Sequence, residues 1–166
     1  IGPEVVAKCW DLRDRFNLPP FVAVGDPRAI TAVWDGELAI LDDPREVEGA
    51  FDHGLPLLAV PAAEGGVPGC PTVAGAHCSL DSLEIAVGLA RSGSVSAVVT
   101  GPVSKQQLYG IGFTHPGQTE FVAERCGVAG SNVAMMLAGP TLRTVPVTTH
   151  LPLADVPGRL TPALVE

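Results

Sequence analysis

The chain has 166 residues, of which 46% are hydrophobic, 5% aromatic and 17% charged, and its formal net charge is −8. Nucleic acids and anionic membranes need a basic protein face, so this charge argues against both as partners; an anionic small molecule held by a few local donors stays open. The length suits one domain with a sizeable core. The 19 glycines and 16 prolines divide the aliphatic runs at short intervals, as expected when buried strands alternate with helices.

The cysteines and the chain ends indicate the cellular setting and the extent of the protein. The four cysteines form no Cys-x-x-Cys pair, no apolar run reaches the ~18 residues needed to span a bilayer, and no signal peptide is visible. A reduced, cytoplasmic setting is therefore expected. The chain begins without Met and ends about one turn after Pro162, so we expect a part of a longer protein.

In chain order, the first half alternates predicted helices and strands. The apolar periodicity predicts helices over residues 3–16, 27–34 and 79–93, and short buried strands over 19–26, 37–43 and 55–61. Asp26-Pro27 opens the second helix, and Ser79 or Asp81 caps the third. The Gly/Pro density over residues 61–75 predicts a loop.

The second half continues the alternation and ends in a hairpin. SAVVTGP (96–102) predicts a buried strand, SKQQLYG (104–110) a short helix, and TEFVAERCGV (119–128) a helix closed by Gly127. Residues 132–150 predict two antiparallel strands joined by a Gly-Pro turn. The predicted fold class is α/β, with a largely parallel sheet and helices on both faces. The hairpin is either an antiparallel addition to that sheet or the start of a second subdomain.

Three predicted strand ends are candidate ligand sites, because ligands of open α/β sheets bind at the carboxyl ends of strands. In TGPVSK, Gly101 allows close backbone approach and Lys105 lies in the first turn of a helix. The helix dipole disfavours a cation there, so an anionic partner would compensate. The alternative is a solvated surface lysine beside an ordinary turn.

The second strand-end segment is the loop FTHPGQTE. Gln118 or Thr119 lies where a helix cap is expected, and the side chains or nearby amides could hold a phosphate or carboxylate. The alternative is that Thr119 only caps the helix while His115 lies in solvent.

His150 ends the third segment, VTTH. A neutral imidazole at a strand end can bind a divalent ion such as Zn²⁺. His53, His77 and His115 show no metal-ligand spacing with it. A structural histidine is therefore the alternative.

Together the segments IGPE, VVTGPVSK, QTEF and TTHLPLADV, followed by LTPALVE, resemble the 4-hydroxythreonine-4-phosphate dehydrogenase family of vitamin B6 biosynthesis. The likeness spreads over the whole chain but covers only about the N-terminal half of such a protein. It implies a three-layer α/β/α fold similar to isopropylmalate and isocitrate dehydrogenases. Residues 1–166 would then be the N-terminal portion of a longer two-subdomain enzyme, with a transition to the second subdomain around 115–135.

The resemblance also implies an activity. The family oxidises a secondary alcohol on a phosphorylated four-carbon acid with NAD⁺, and the product then loses CO₂. It implies a homodimer with active sites at the subunit interface and a divalent metal (Zn, Mg or Co) held by three histidines, one of them from the partner subunit. The fragment alone is expected to be inactive.

The family's site residues map onto four positions of this chain. His150 falls on the first metal-ligating histidine, Thr119 on a substrate-binding threonine, and Lys105 on the lysine of the Thr-Gly-Pro segment, where we expect a catalytic group. Gln118 occupies a substrate-binding position that is normally histidine, and the loop before it is longer. No residue for NAD is identified.

Three rival readings stay open. Gln118 favours a related dehydrogenase acting on threonate or erythronate 4-phosphate. A phosphate-ligand binding protein that has lost its chemistry would keep the same fold. An acyl–phosphate transferase on a related fold would need neither NAD⁺ nor metal, and His150 argues mildly against it.

Overall fold

The structure, a computed structural model, describes residues 1–148 and 151–165. It divides into two compact units, Ile1–Val122 and Ala123–Glu166. His150, the predicted metal ligand, lies outside the described residues.

The first unit contains a parallel sheet and most of the helices. Its helices are α1 (Gly2–Asp11), α2 (Arg13–Phe16), α3 (Pro27–Thr31), α4 (Val47–Ala50), α5 (Val73–Arg91) and α6 (Lys105–Gly110), and the unit boundary lies within α7 (Gln118–Arg125). Its strands are β1 (Ala23–Gly25), β2 (Leu38–Leu41) and β3 (Leu55–Ala59), and one 3₁₀ turn spans Pro44–Glu46.

The three strands are all parallel, in the order β1-β3-β2. Leu55 and Leu57 on one face of the central strand and Pro56 on the other are fully buried, as expected for a parallel strand covered on both faces. Pro56 lies between them without a backbone donor. The Leu55 N–H donates to Glu37 on the β2 side, so Pro56 faces the β1 side, where pairing starts only at Leu57. The proline therefore removes no ladder hydrogen bond.

The second unit contains a small hairpin and short helices. Strands β4 (Leu137–Ala138) and β5 (Arg143–Thr144) pair antiparallel, with Leu137 opposite Thr144. The 3₁₀ turns Gly130–Asn132 and Leu153–Asp155 and the helices α8 (Val156–Arg159) and α9 (Pro162–Val165) complete it. The predicted hairpin is confirmed, although its strands are shorter than the apolar runs suggested.

The predicted start of the longest helix was wrong. Helix α5 begins at Val73, because the Thr72 hydroxyl caps it by accepting from the Gly75 N–H at 3.0 Å. Ser79, the expected cap, instead donates its hydroxyl to the Gly75 carbonyl one turn earlier, at 2.8 Å. A serine that bonds back to the i−4 carbonyl is compatible with a helix interior, so Ser79 does not mark a boundary.

The predicted buried strand at 96–102 was also wrong. Residues 97–104 form neither helix nor strand, and Val99 is 95% exposed. The described sheet contains only β1, β2 and β3, so this β-branched run has no paired neighbour there. The strand propensity of Ala-Val-Val depends on such a neighbour, which local sequence does not supply.

Two Asp-Pro-Arg segments follow β1 and β2 with the same local geometry. Asp26 and Asp43 each cap the following turn by accepting from the arginine N–H two residues on, at 2.8 Å in both. Each carboxylate also forms a two-pronged ion pair with that arginine. The side chain of Asp26 is 5% exposed and that of Asp43 is 31% exposed. The Asp26 carboxylate is therefore buried while Arg28 is half exposed, and the Asp43–Arg45 pair is more exposed at both residues.

The predicted α/β class is confirmed in its coarse form, a mixed α/β fold with a small parallel sheet and an antiparallel pair. That the two units belong to a longer two-subdomain enzyme stays a prediction. No helix among the described residues is both long and apolar enough to cross a membrane.

Candidate functional site

A shared apolar cluster positions the two candidate loops of the first unit. Its buried members come from α5, α6, α7 and the loop between the last two: Ala76, Leu83, Val87, Leu108, Phe113 and Phe121. Burying a side chain such as Phe121 contributes roughly 1.5–3 kcal/mol. Leu108 lies one turn after Lys105, and Phe121 one turn after Gln118, so the same packing fixes the first turns of α6 and α7.

Lys105 is the first residue of α6 and is exposed. It makes no ion pair or hydrogen bond among residues 1–148 and 151–165. Ser104 precedes it as N-cap without a side-chain cap hydrogen bond. An unpaired cation at a helix N-terminus is electrostatically unfavourable, and a bound anion would relieve this.

Gln118 links the second loop to the first. It is half-buried at the start of α7, and its Nε2 donates a weak, long hydrogen bond to the Gly101 carbonyl oxygen at 3.5 Å, beyond the roughly 2.7–3.2 Å that is typical. Gly101 in turn lies close to α1, because a Cβ there would sit 3.5 Å from the Gly2 Cα. The structure therefore brings the predicted segments TGPVSK and QTEF together.

Thr119 is the second residue of α7, so it is not the N-cap of that helix. Its side chain is exposed and forms no hydrogen bond within the described part of the chain. Glu120 lies in the same turn, with Oε2 3.1 Å from where a Cβ on Gly117 would be. This carboxylate already offsets the positive end of α7, so an anion in this region would depend on Lys105 for charge.

His115 is packed rather than free in solvent. Its ring meets Phe113 at 5.1 Å and Phe121 at 5.4 Å between centroids, both edge to face. The Tyr109 hydroxyl donates to the Pro116 carbonyl at 3.4 Å and ties this loop to α6. The imidazole thus contributes to the packing of this loop against α7.

No metal centre is formed by the described residues alone. Within residues 1–148 and 151–165, no three His, Cys, Asp or Glu side chains gather where they could hold a metal ion. His150 would supply one ligand only, so the described donor set does not fit a metal by itself. Its metal-binding role stays a prediction.

Asp26 and Arg28 lie at the carboxyl edge of the parallel sheet and were not among the residues predicted to form a site. Asp26 accepts from the Ala62 N–H at 3.0 Å, while Arg28 Nη2 donates to the Ala62 carbonyl at 2.6 Å. The hydrogen bonds from Arg28 lower the pKa of Asp26, although burial opposes this. The pair holds both backbone groups of one residue, which anchors the start of the Gly/Pro-rich loop. The Asp-Pro-Arg spacing is the feature of the sequence that could have predicted this anchor.

Cys78 lies beside this anchor but is poorly suited to nucleophilic chemistry. Its thiol donates to the Val60 carbonyl at 3.1 Å. Burial raises the pKa of the thiol, and the hydrogen bond with Ser82 only partly offsets this. The reactive thiolate is therefore disfavoured at neutral pH.

Comparison with known proteins gives this arrangement a context. A family profile described as "Pyridoxal phosphate biosynthetic protein PdxA" matches residues 18–166. The 4-hydroxythreonine-4-phosphate dehydrogenase of Zymomonas mobilis is 49% identical over 165 residues, which cover 99% of this chain and 49% of that protein. The chain spans about half the length of the curated relatives it matches.

Solved structures agree with the sequence match. A 4-hydroxythreonine-4-phosphate dehydrogenase from Burkholderia phymatum superposes with a TM-score of 0.85 at 26% identity, over 98% of this chain and 50% of that one. A terephthalate 1,2-cis-dihydrodiol dehydrogenase from Burkholderia xenovorans gives 0.67 at 26% identity, over 98% of this chain and 48% of that one. Because the family profile covers most of its length, the chain belongs to the PdxA family of pyridoxal phosphate biosynthetic proteins.

Proposed function

We propose that this chain is the N-terminal portion of an NAD-dependent, divalent-metal-assisted dehydrogenase. Its substrate would be 4-hydroxythreonine 4-phosphate, which is oxidised and then decarboxylated in pyridoxal phosphate biosynthesis. The observation that carries the proposal is the hydrogen bond from Gln118 to Gly101, which joins the TGPVSK segment that contains Lys105 to the start of α7. The names of the relatives support the substrate, since 4-hydroxythreonine-4-phosphate dehydrogenases match the chain at 49% and 43% identity.

The roles of the chain's own residues follow from their chemistry. Lys105 is exposed at a helix start and offers a point charge to an anionic group of the substrate, or a proton to a reacting oxygen. Gln118 and Thr119 offer neutral donors and acceptors, which orient a ligand without adding charge. The site as a whole thus combines one cation with two neutral hydrogen-bonding groups.

The remaining parts of the proposal concern groups that the described residues do not supply. A divalent metal (Zn, Mg or Co) would polarise the substrate hydroxyl when bound, with His150 as one of its ligands. NAD⁺ would accept the hydride. The three-layer α/β/α arrangement and a homodimer with the active site at the subunit interface complete the proposal, and the family membership supports both.

A second candidate is a dehydrogenase for threonate or erythronate 4-phosphate. Gln118 favours it, because an amide can read a hydroxyl where a histidine would read a charged group. The dihydrodiol dehydrogenase relative is named for a different alcohol, so this fold is not tied to one substrate. The loop around Gln118 is therefore the region where we expect the two substrates to be discriminated.

Replacing Gln118 by histidine in the full-length protein should shift the preference between the two substrate classes. The change in the ratio of kcat/KM should be about fivefold, since a charged hydrogen bond exceeds a neutral one by roughly 1 kcal/mol. Binding to the unchanged protein should vary less with pH between about 5 and 8 than binding to the variant, because glutamine does not titrate.

His115→Ala is the matched variant in the same loop. Since His115 packs against Phe113 and Phe121, this change should lower thermal stability and leave the substrate preference unaltered. Kinetics with both acids on both variants provide the measurement. A preference that changes with His115 and not with Gln118 would transfer the role to the imidazole.

The function itself is tested by comparing two lengths of the protein. The full-length protein should form NADH from 4-hydroxythreonine 4-phosphate in the presence of NAD⁺ and Zn²⁺, Mg²⁺ or Co²⁺, and the 166-residue chain should form none. NADH absorbance is the readout. NADH formation by the short chain would contradict the assignment of an N-terminal portion. Substrate binding without NADH formation in the full-length protein would favour the non-catalytic reading.

A further inference from the structure

The second unit contains an open cleft of about 450 Å³ beside the stretch that leads to His150. Three apolar and three polar residues line it: Val147, Thr148, Leu151, Arg159, Thr161 and Leu164. Thr148 and Leu151 directly flank residues 149 and 150 in the sequence. The polar side of the cleft therefore consists of one guanidinium and two hydroxyl groups.

Arg159 is the last residue of α8 and lacks a carboxylate partner within the described part of the chain. Arg15, Arg91 and Arg143 likewise form no ion pair within the described residues, so what distinguishes Arg159 is its place in the lining of the cleft. Asp155 lies one helical turn earlier, yet it forms no ion pair with Arg159.

A guanidinium flanked by hydroxyls suits an oxyanion. Its planar fork donates two parallel hydrogen bonds to phosphate or carboxylate oxygens, and threonine hydroxyls can donate to the remaining oxygens. The apolar side chains Val147, Leu151 and Leu164 would face the carbon skeleton of a small ligand. The cleft thus has the composition of a small-molecule site with one charged anchor.

We propose that Arg159 anchors an oxyanion group of the substrate in this cleft and so contributes to substrate specificity. The proposal deepens the proposed function and rests on it for the identity of the ligand. The proposed substrate carries two such groups, a phosphate and a carboxylate, and both match the same guanidinium chemistry. Nothing in the sequence pattern singled Arg159 out, because no neighbouring residue forms a motif with it.

The test uses the full-length protein labelled with ¹⁵N-arginine, with inorganic phosphate and acetate added separately at constant ionic strength. The side-chain Nε–H signal of Arg159 should shift and saturate with at least one of these anions. Arg159→Gln should weaken that anion's binding by about tenfold, as expected for loss of a charged hydrogen bond. Arg143→Gln is the matched control, an exposed arginine on β5 of the same unit.

Each outcome has a defined meaning. Saturation by phosphate alone assigns the cleft to the phosphate end, saturation by acetate alone assigns it to the carboxylate end, and saturation by both supports a general oxyanion anchor. No shift with either anion, or equal weakening by Arg143→Gln, overturns the proposal. Anion binding is measured without turnover, so loss of the cleft and failure of the dehydrogenase assignment are separable. In an active enzyme, Arg159→Gln should raise KM while kcat changes little, and Arg159→Lys should partly restore KM.

Discussion

Replacing Lys105 by alanine in the full-length protein is expected to lower kcat/KM by about 10²–10³-fold while the fold remains intact. The side chain is exposed at the start of α6 and forms no contact with charged groups in the described part of the chain, so its removal costs little packing. The free energy of unfolding should change by less than about 0.5 kcal/mol. Steady-state kinetics and thermal unfolding on the same sample provide the measurement.

Lys8→Ala is the matched control, since Lys8 is the chain's other lysine and is exposed on α1. It should leave kcat/KM unchanged. An equal loss of activity in both variants would mean that overall charge matters and not the position of Lys105. A fall in stability without a kinetic defect would make Lys105 a structural residue.

Replacing Asp26 by alanine is expected to destabilise the protein by about 2 kcal/mol or more. The change removes the N-cap of α3 and leaves the Ala62 N–H without its acceptor. The same substitution at Asp43 provides an internal comparison, because Asp43 has the same cap and ion pair without the contact to a distant backbone. Denaturant unfolding of both variants should show a clearly smaller loss for Asp43→Ala.

The pH dependence of the stability lost in Asp26→Ala follows from the lowered pKa of Asp26. A carboxyl whose pKa is lower in the folded state than in the unfolded state stabilises the fold at pH values above the unfolded-state pKa, which is near 3.9. This contribution is lost as the pH falls through the folded-state pKa. The gap between the native protein and Asp26→Ala should thus be constant near neutral pH and shrink in strong acid. A gap that widens on acidification would show that the ion pair with Arg28 does not contribute as described.

The elements that local sequence determines were predictable. Asp26-Pro27 opens α3 as expected, because the cap and the fixed proline φ act within a few residues. Gly127 closes α7 with a positive φ of 69°, which glycine adopts without strain. The start of α5 was missed because Thr72 and Ser79 are both good caps by sequence, and only the folded chain decides which hydroxyl faces an open N–H.

The candidate site was predictable in its residues but not in its contacts. Lys105 and Gln118 were identified separately, and their connection depends on the packing of α6 and α7 onto α5 through Leu108 and Phe121. The packed environment of His115 also depends on that cluster. Arg159 was missed, since the cleft that it lines forms only when α8 folds beside Val147 and Thr148.

The exposed run around Val99 has a consequence for how the protein behaves in concentrated solution. No charged residue lies between Arg91 and Lys105, so a β-branched, uncharged segment is presented to other molecules. Such a segment is a template for strand pairing between chains, and hence for aggregation. Mutual repulsion from the net negative charge opposes this at neutral pH. As acid neutralises the carboxylates, that protection fades, so colloidal stability of the chain should decline before the fold does.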